Sequence, residues 1–148
     1  MLIGLLALIV AAVFTGAAFY VNFAEQPARL KLDDRALLAE WKPAYKRGFI
    51  MQASLAVIGF LLGAGAWWQT GMILFLIGGL AMLANWPWTL IVIMPVNKAL
   101  MATPLEKAGP QTRRLVEKWG GLHAFRTGFD ALAVVIFLSG LIDLARQA

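Results

Sequence analysis

The sequence predicts an all-α fold: a four-transmembrane-helix bundle with short interfacial helices in two basic loops. Three observations carry that expectation. Of 148 residues, 61% are hydrophobic and only 14% are charged, whereas roughly a quarter of an average soluble domain is charged. Mean hydropathy is +0.75, and a soluble domain of this length would still leave about a third of its surface in water. Finally, four apolar stretches each approach the ~20 residues that cross the hydrocarbon core as a helix. They do not alternate as transmembrane strands do; Leu5-Leu6-Ala7-Leu8-Ile9-Val10 is apolar without a break. An ordinary cytosolic enzyme, a disordered chain and a nucleic-acid module are excluded. The whole chain, 1–148, reads as one integral membrane domain.

The first span covers about 2–23. It lacks the basic start of a signal peptide and its apolar core is too long, so it is expected to be an uncleaved helix. Gly4, Leu8, Ala11, Thr15, Ala18, Asn22 and Glu25 fall on one side of it at helical spacing, small above and polar below. In the loop that follows, Asp33 is a plausible N-cap for a short helix over 34–41 with Leu37, Leu38 and Trp41 as its apolar stripe. Pro43 suits the first turn of the next helix.

The second span covers about 48–68 and carries Gly59 and Gly63 as a GxxxG, with Gln52 on the same side. Such glycines serve close packing within a bundle or between copies. The third span, about 71–94, supplies Asn85 and Thr89, with Asn97 just beyond. Its Pro87 and Pro95 displace the carbonyls of Leu83 and Ile91 from the helical ladder. After it, Thr103-Pro104-Leu105-Glu106 reads as a capping box. Gly109-Pro110 breaks that helix, and another starts near Gln111 and runs into the fourth span, about 121–144, through Gly120-Gly121.

The fourth span places Trp119, His123, Arg126 and Asp130 on one narrow face. Arg126 and Asp130 are spaced for an i,i+4 ion pair. Ionisable groups at this depth should face the bundle interior or a watery cavity. They read either as a site or as a structural pair that locks the helices.

Net charge is +5, and its distribution sets an orientation. Arg29, Lys31, Arg35, Lys42, Lys46 and Arg47 lie between spans one and two; Lys98, Lys107, Arg113, Arg114 and Lys118 lie between spans three and four. By the positive-inside rule these loops are cytoplasmic and both termini lie outside, in a membrane expected to be a bacterial inner membrane. The polar groups then gather toward the cytoplasmic leaflet, while the outer half is almost purely apolar. A polar track through the bilayer is missing, which argues against a channel or a proton-translocating transporter.

A pocket at the cytoplasmic end is therefore expected, with aromatic walls from Tyr20, Trp86, Trp88 and Trp119 and polar contacts from Asn22 and Gln52. His123 is a candidate general base. Arg126 would stabilise a developing phenolate or enolate, Asn97 or Gln52 would orient a carbonyl, and Glu25 would orient His123 or shuttle its proton. The chain has no cysteine and one histidine, which leaves no thiolate chemistry and no multi-histidine metal site; no metal is expected. GxSxG, phosphate-loop and dinucleotide motifs are missing. Two readings without catalysis stand beside the enzyme: a haem- or quinone-binding protein, with haem held axially by His123 and a propionate on Arg126, and a structural membrane subunit. The expected partners are the lipid bilayer and a hydrophobic small molecule, with a homo-oligomer open through GxxxG.

Several stretches carry a family resemblance. They are Phe14-Thr15-Gly16-Ala17-Ala18-Phe19-Tyr20-Val21-Asn22, Glu25-Gln26-Pro27-Ala28-Arg29, Trp86-Pro87-Trp88-Thr89, Met94-Pro95-Val96-Asn97-Lys98 and Trp119-Gly120-Gly121-Leu122-His123-Ala124-Phe125-Arg126-Thr127. Together they resemble the anthrone-oxygenase-like family of small four-helix membrane proteins, mostly a domain family of unknown function. The resemblance implies oxidation of an anthrone to an anthraquinone, with neither metal nor flavin. On that model His123 removes a proton from the electron-rich carbon, the carbanion passes an electron to O₂, and Arg126 with Asn97 holds the phenolate oxygen.

Overall fold

The computed structural model describes residues 1–147, and they are helical almost throughout. Four helices are long and apolar enough to cross a membrane: α1 Leu2–Arg29, α2 Asp34–Thr70, α3 Ile73–Ala102 and α4 Pro110–Arg146. Each contains one of the four apolar stretches. They pack in a ring in which α1 and α3 each lie beside α2 and α4. Large apolar side chains point outward along all four, among them Ile9, Leu61, Ile91 and Val135. That is the inverse of a soluble bundle and matches a surface covered by acyl chains.

α2 starts earlier than the sequence reading anticipates, whereas α4 runs into the fourth span as expected. α2 and α4 have 37 residues each, or about 55 Å at 1.5 Å per residue. The segment 34–41 is thus no separate interfacial helix; it forms the first turns of α2. Asp33 caps it, accepting from Arg35 N at 3.0 Å and Ala36 N at 2.9 Å. Pro43 sits inside α2 rather than at its start. The physical reason is burial: Leu37, Leu38 and Trp41 are wholly enclosed, and Lys42 Nζ donates to Met101 O and Thr103 O at the end of α3. α4 starts at Pro110 and passes Gly120-Gly121 unbroken. Thr103 does not open a capping box. Its hydroxyl donates back to Ala99 O at 2.8 Å, and only a 3₁₀ turn, Leu105–Lys107, follows.

The core has two apolar parts. One, toward the chain termini, holds Ala7, Ala11, Phe14, Phe75, Met82 and Phe137. Gly59 and Gly63 serve this part, facing α3: a Cβ on Gly63 would lie 2.6 Å from Phe75 O. The other part lies toward the two basic loops and holds Leu37, Trp41, Ile93, Leu100, Val116 and Trp119. Those loops meet: Arg113 donates to Leu30 O and Leu32 O and pairs with Asp34. A layer of buried polar side chains, including Gln52, Asn85, Asn97, His123, Arg126 and Asp130, lies between the two apolar parts.

Candidate functional site

Two widened helical turns shape this layer. In α1, Val21–Glu25 is a π-helical turn; in α3, Thr89–Ile93 is another. Both close with an amide reaching five residues back, Gln26 N–H to Val21 O and Met94 N–H to Thr89 O. In both, a proline follows at once, Pro27 and Pro95. A proline has no N–H to give the carbonyl four residues earlier, so the ladder slips by one residue ahead of it. Such π-turns concentrate at functional sites. Here Val21 and Glu25 from one, and Thr89 and Ile93 from the other, face the same cavity.

That cavity measures about 350 Å³, within the range of small-molecule pockets. It brings together six of the side chains singled out in the sequence, His123, Arg126, Asn97, Glu25, Gln52 and Trp119, with Tyr20 at its edge. Three others sit elsewhere. Trp86 lines a smaller adjoining chamber. Trp88 turns away, stacking on Phe125 with ring centroids 4.7 Å apart and donating to Leu122 O. Asn22 lies behind His123 rather than in the cavity wall.

Asn22, and not Glu25, is the side chain against His123. Its amide nitrogen donates to Ala18 O and to Thr127 Oγ1. That leaves its oxygen facing His123 Nδ1 at 3.3 Å. A carbonyl oxygen only accepts, so the network assigns the proton to Nδ1 and the lone pair to Nε2. Nε2 in turn lies 3.1 Å from Arg126 Nη2 and accepts from it. Glu25 instead pairs with Arg29, which also meets Glu40 at 3.0 Å. The Arg29 guanidinium stands over the Trp119 ring, 5.6 Å from its centroid. Trp119 contacts His123 on one side and Trp41 on the other, and Trp41 stacks on Tyr45.

Arg126 has neutral partners only. Its Nη2 donates to Gln52 Oε1 and its Nη1 to Thr89 Oγ1; Nε has none. No Arg126–Asp130 ion pair forms. Asp130, wholly enclosed, takes a hydrogen bond from Asn85 Nδ2 at 2.5 Å. A guanidinium with no bonded carboxylate is a ready site for an anionic oxygen. Asn97 adds to it. This residue is 1% exposed, and neither atom of its amide has a hydrogen-bond partner. The Tyr45 phenol reaches toward it without closing a bond of ordinary geometry. Leaving an amide unpaired in a protein interior costs about 1–3 kcal/mol, and Asn97 lines the cavity in that state.

Tyr45 and Phe49, both in the cavity wall, escape the sequence reading. The signal was present: Trp41, Tyr45, Phe49 and Gln52 recur at intervals of four, four and three, one face of a continuous helix.

A model of one family, described as anthrone oxygenase, matches residues 41–136 of the chain. The match spans most of α2, all of α3 and most of α4, including Gln52, Asn97, His123 and Arg126, and leaves out α1 with Tyr20, Asn22 and Glu25. No curated protein and no solved structure matches the chain.

Proposed function

The chain belongs to the anthrone oxygenase family, and from that premise we propose that it is a membrane oxygenase acting on a hydrophobic aromatic or quinone-like molecule. The observation that carries the proposal is the presence in one cavity of Arg126, whose hydrogen-bond partners are all neutral, and Asn97, whose amide has none. Both suit an oxygen that gains negative charge during reaction.

The chemistry then runs on this chain's own side chains and on O₂, with no cofactor. Arg126 holds the ring oxygen of the substrate, and Asn97 donates to the same oxygen. Drawing the guanidinium toward that oxygen frees the Nε2 lone pair, which Asn22 keeps in place through Nδ1–H. His123 removes one proton from the CH₂ between two aromatic rings. The resulting carbanion, delocalised onto the held oxygen, gives one electron to O₂. The carbon radical and superoxide combine to form a C–O bond. Protonated His123 returns its proton to the outer oxygen, giving a hydroperoxide. His123 then removes the second C–H proton; the O–O bond breaks, leaving a carbonyl, and the hydroxide takes that proton back. The sum is one CH₂ and one O₂ converted to one carbonyl and one water.

The cavity opens between α1 and α2 beside Tyr20, Arg47 and Met51, a position that suits a substrate arriving from the lipid. The two basic loops join at the same end, which favours that end as cytoplasmic, with both termini outside.

The test is oxygen uptake by purified protein with anthrone or emodin anthrone, followed by absorbance of the anthraquinone. Wild type should turn over, and His123→Ala should lose about 10²–10⁴-fold. Full turnover in His123→Ala would remove the base assignment. No turnover with any anthrone or hydroquinone would overturn the oxygenase reading.

A further inference from the structure

Behind Arg126 lies a second, smaller chamber of about 40 Å³. Phe49, Gln52, Thr89 and Arg126 line both it and the main cavity, so these four side chains form the partition. The chamber has room for about three water-sized molecules, since a single water needs about 10–15 Å³. An aromatic ring does not fit. The rest of its wall is largely apolar, with Phe14, Ala53, Ala56 and Leu90. Its outer rim is Phe49, Trp86 and Leu90, all exposed on the apolar surface of the bundle. The Trp86 indole donates to Ala53 O at 3.4 Å and ties the two sides of that rim together. On the inner side the Arg126 guanidinium faces the Phe14 ring at 5.7 Å, and Asn85, tied by its amide nitrogen to Asp130, completes the wall.

We propose that this chamber is the dioxygen site. The inference rests on the oxygenase reading and deepens it. O₂ is small, apolar and concentrated in hydrocarbon relative to water, so a mouth in the acyl region collects it where it is most abundant. A small chamber whose outer wall is apolar gives a nonpolar gas dispersion contacts that it lacks in water. When the substrate carbanion gives one electron to O₂, the charge that appears on oxygen sits beside the Arg126 guanidinium, a cation already in the chamber wall. The substrate is oxidised by one electron, O₂ becomes superoxide, and the two combine as described above. Arg126, which lines both spaces, thereby serves both reactants.

Wild-type crystals pressurised with xenon, paired with oxygen-dependence kinetics, test this. Xenon should appear between Phe14, Ala56 and Leu90. Ala56→Leu fills the chamber; Ala53→Leu, half-buried at the rim, narrows it with less risk to folding. Either variant should exclude xenon and raise KM for O₂ about tenfold, while KM for the organic substrate stays unchanged. An ordered water in place of xenon, or an unchanged KM for O₂ in Ala53→Leu, overturns the proposal and leaves the oxygenase reading standing. A wild type that turns over no anthrone or hydroquinone fails that reading, and the dioxygen assignment falls with it whatever xenon does.

Discussion

Asp130 is hydrogen-bonded to Asn85 across the α3–α4 contact, at 2.5 Å, and not to the arginine one turn earlier on its own helix. Asn85 is fixed in turn by a second bond from the same nitrogen to Met82 O at 3.0 Å. Asn85→Ala should therefore destabilise the bundle by about 1–3 kcal/mol, because a wholly buried carboxyl loses its donor. Arg126→Gln should cost less. Unfolding in mixed detergent micelles reads both, and the reverse order would show that Arg126 is the partner of Asp130 after all.

The His123 tautomer depends on Asn22. Nitrogen-15 spectra of the ring should show the proton on Nδ1 in the wild type. Asn22→Ala should lose that preference and lower turnover about tenfold, well short of the His123→Ala loss. Asn22→Ala with an unchanged ring spectrum would assign the tautomer to some other contact.

Arg126 bridges Gln52, Thr89 and His123 with one planar fork. Lysine keeps the charge but cannot meet three partners in that plane. Arg126→Lys should lose about 10²-fold or more in turnover while the protein stays folded. Near-normal turnover would reduce the role of Arg126 to simple charge.

Gly63 and Gly16 separate helix packing from helix propensity. A Cβ on Gly63 would meet backbone, Phe75 O at 2.6 Å and Gly79 Cα at 3.0 Å, whereas Gly16 has nothing within 4 Å. Gly63→Ala should cost about 1–3 kcal/mol, and Gly16→Ala should be neutral or stabilise by up to about 1 kcal/mol. Equal effects on the unfolding midpoint would contradict the α2–α3 approach.

Much of the site was legible because its residue types are out of place. His123, Arg126 and Asp130 stand in an apolar run, and helical spacing alone puts them on one face. Asn97 and Gln52 stood out for the same reason. Their partners were not legible. Arg126 and Asp130 have ideal spacing for an ion pair, yet each bonds to another helix. Glu25 lies at the right end of α1 to reach His123, but Arg29 takes it and Asn22 fills the place. Trp88 has the chemistry of a cavity wall and faces Phe125 and Phe129 instead.

Composition and periodicity by themselves determined the membrane class, the four helices and the face of α4 that carries the charges. These follow from transfer free energy and from 3.6 residues per turn, which are properties of a segment alone. The tertiary structure decided the rest. It merged 34–41 with the second span, because burial of Trp41 against Trp119 holds the helix through Pro43. It placed a second apolar core over what the sequence presents as an open polar end. It divided the polar layer into a large cavity and a small chamber with Arg126 between them. Each of those outcomes depends on which helix lies beside which, and on two π-turns that set the angle of their side chains, so no single segment contains them.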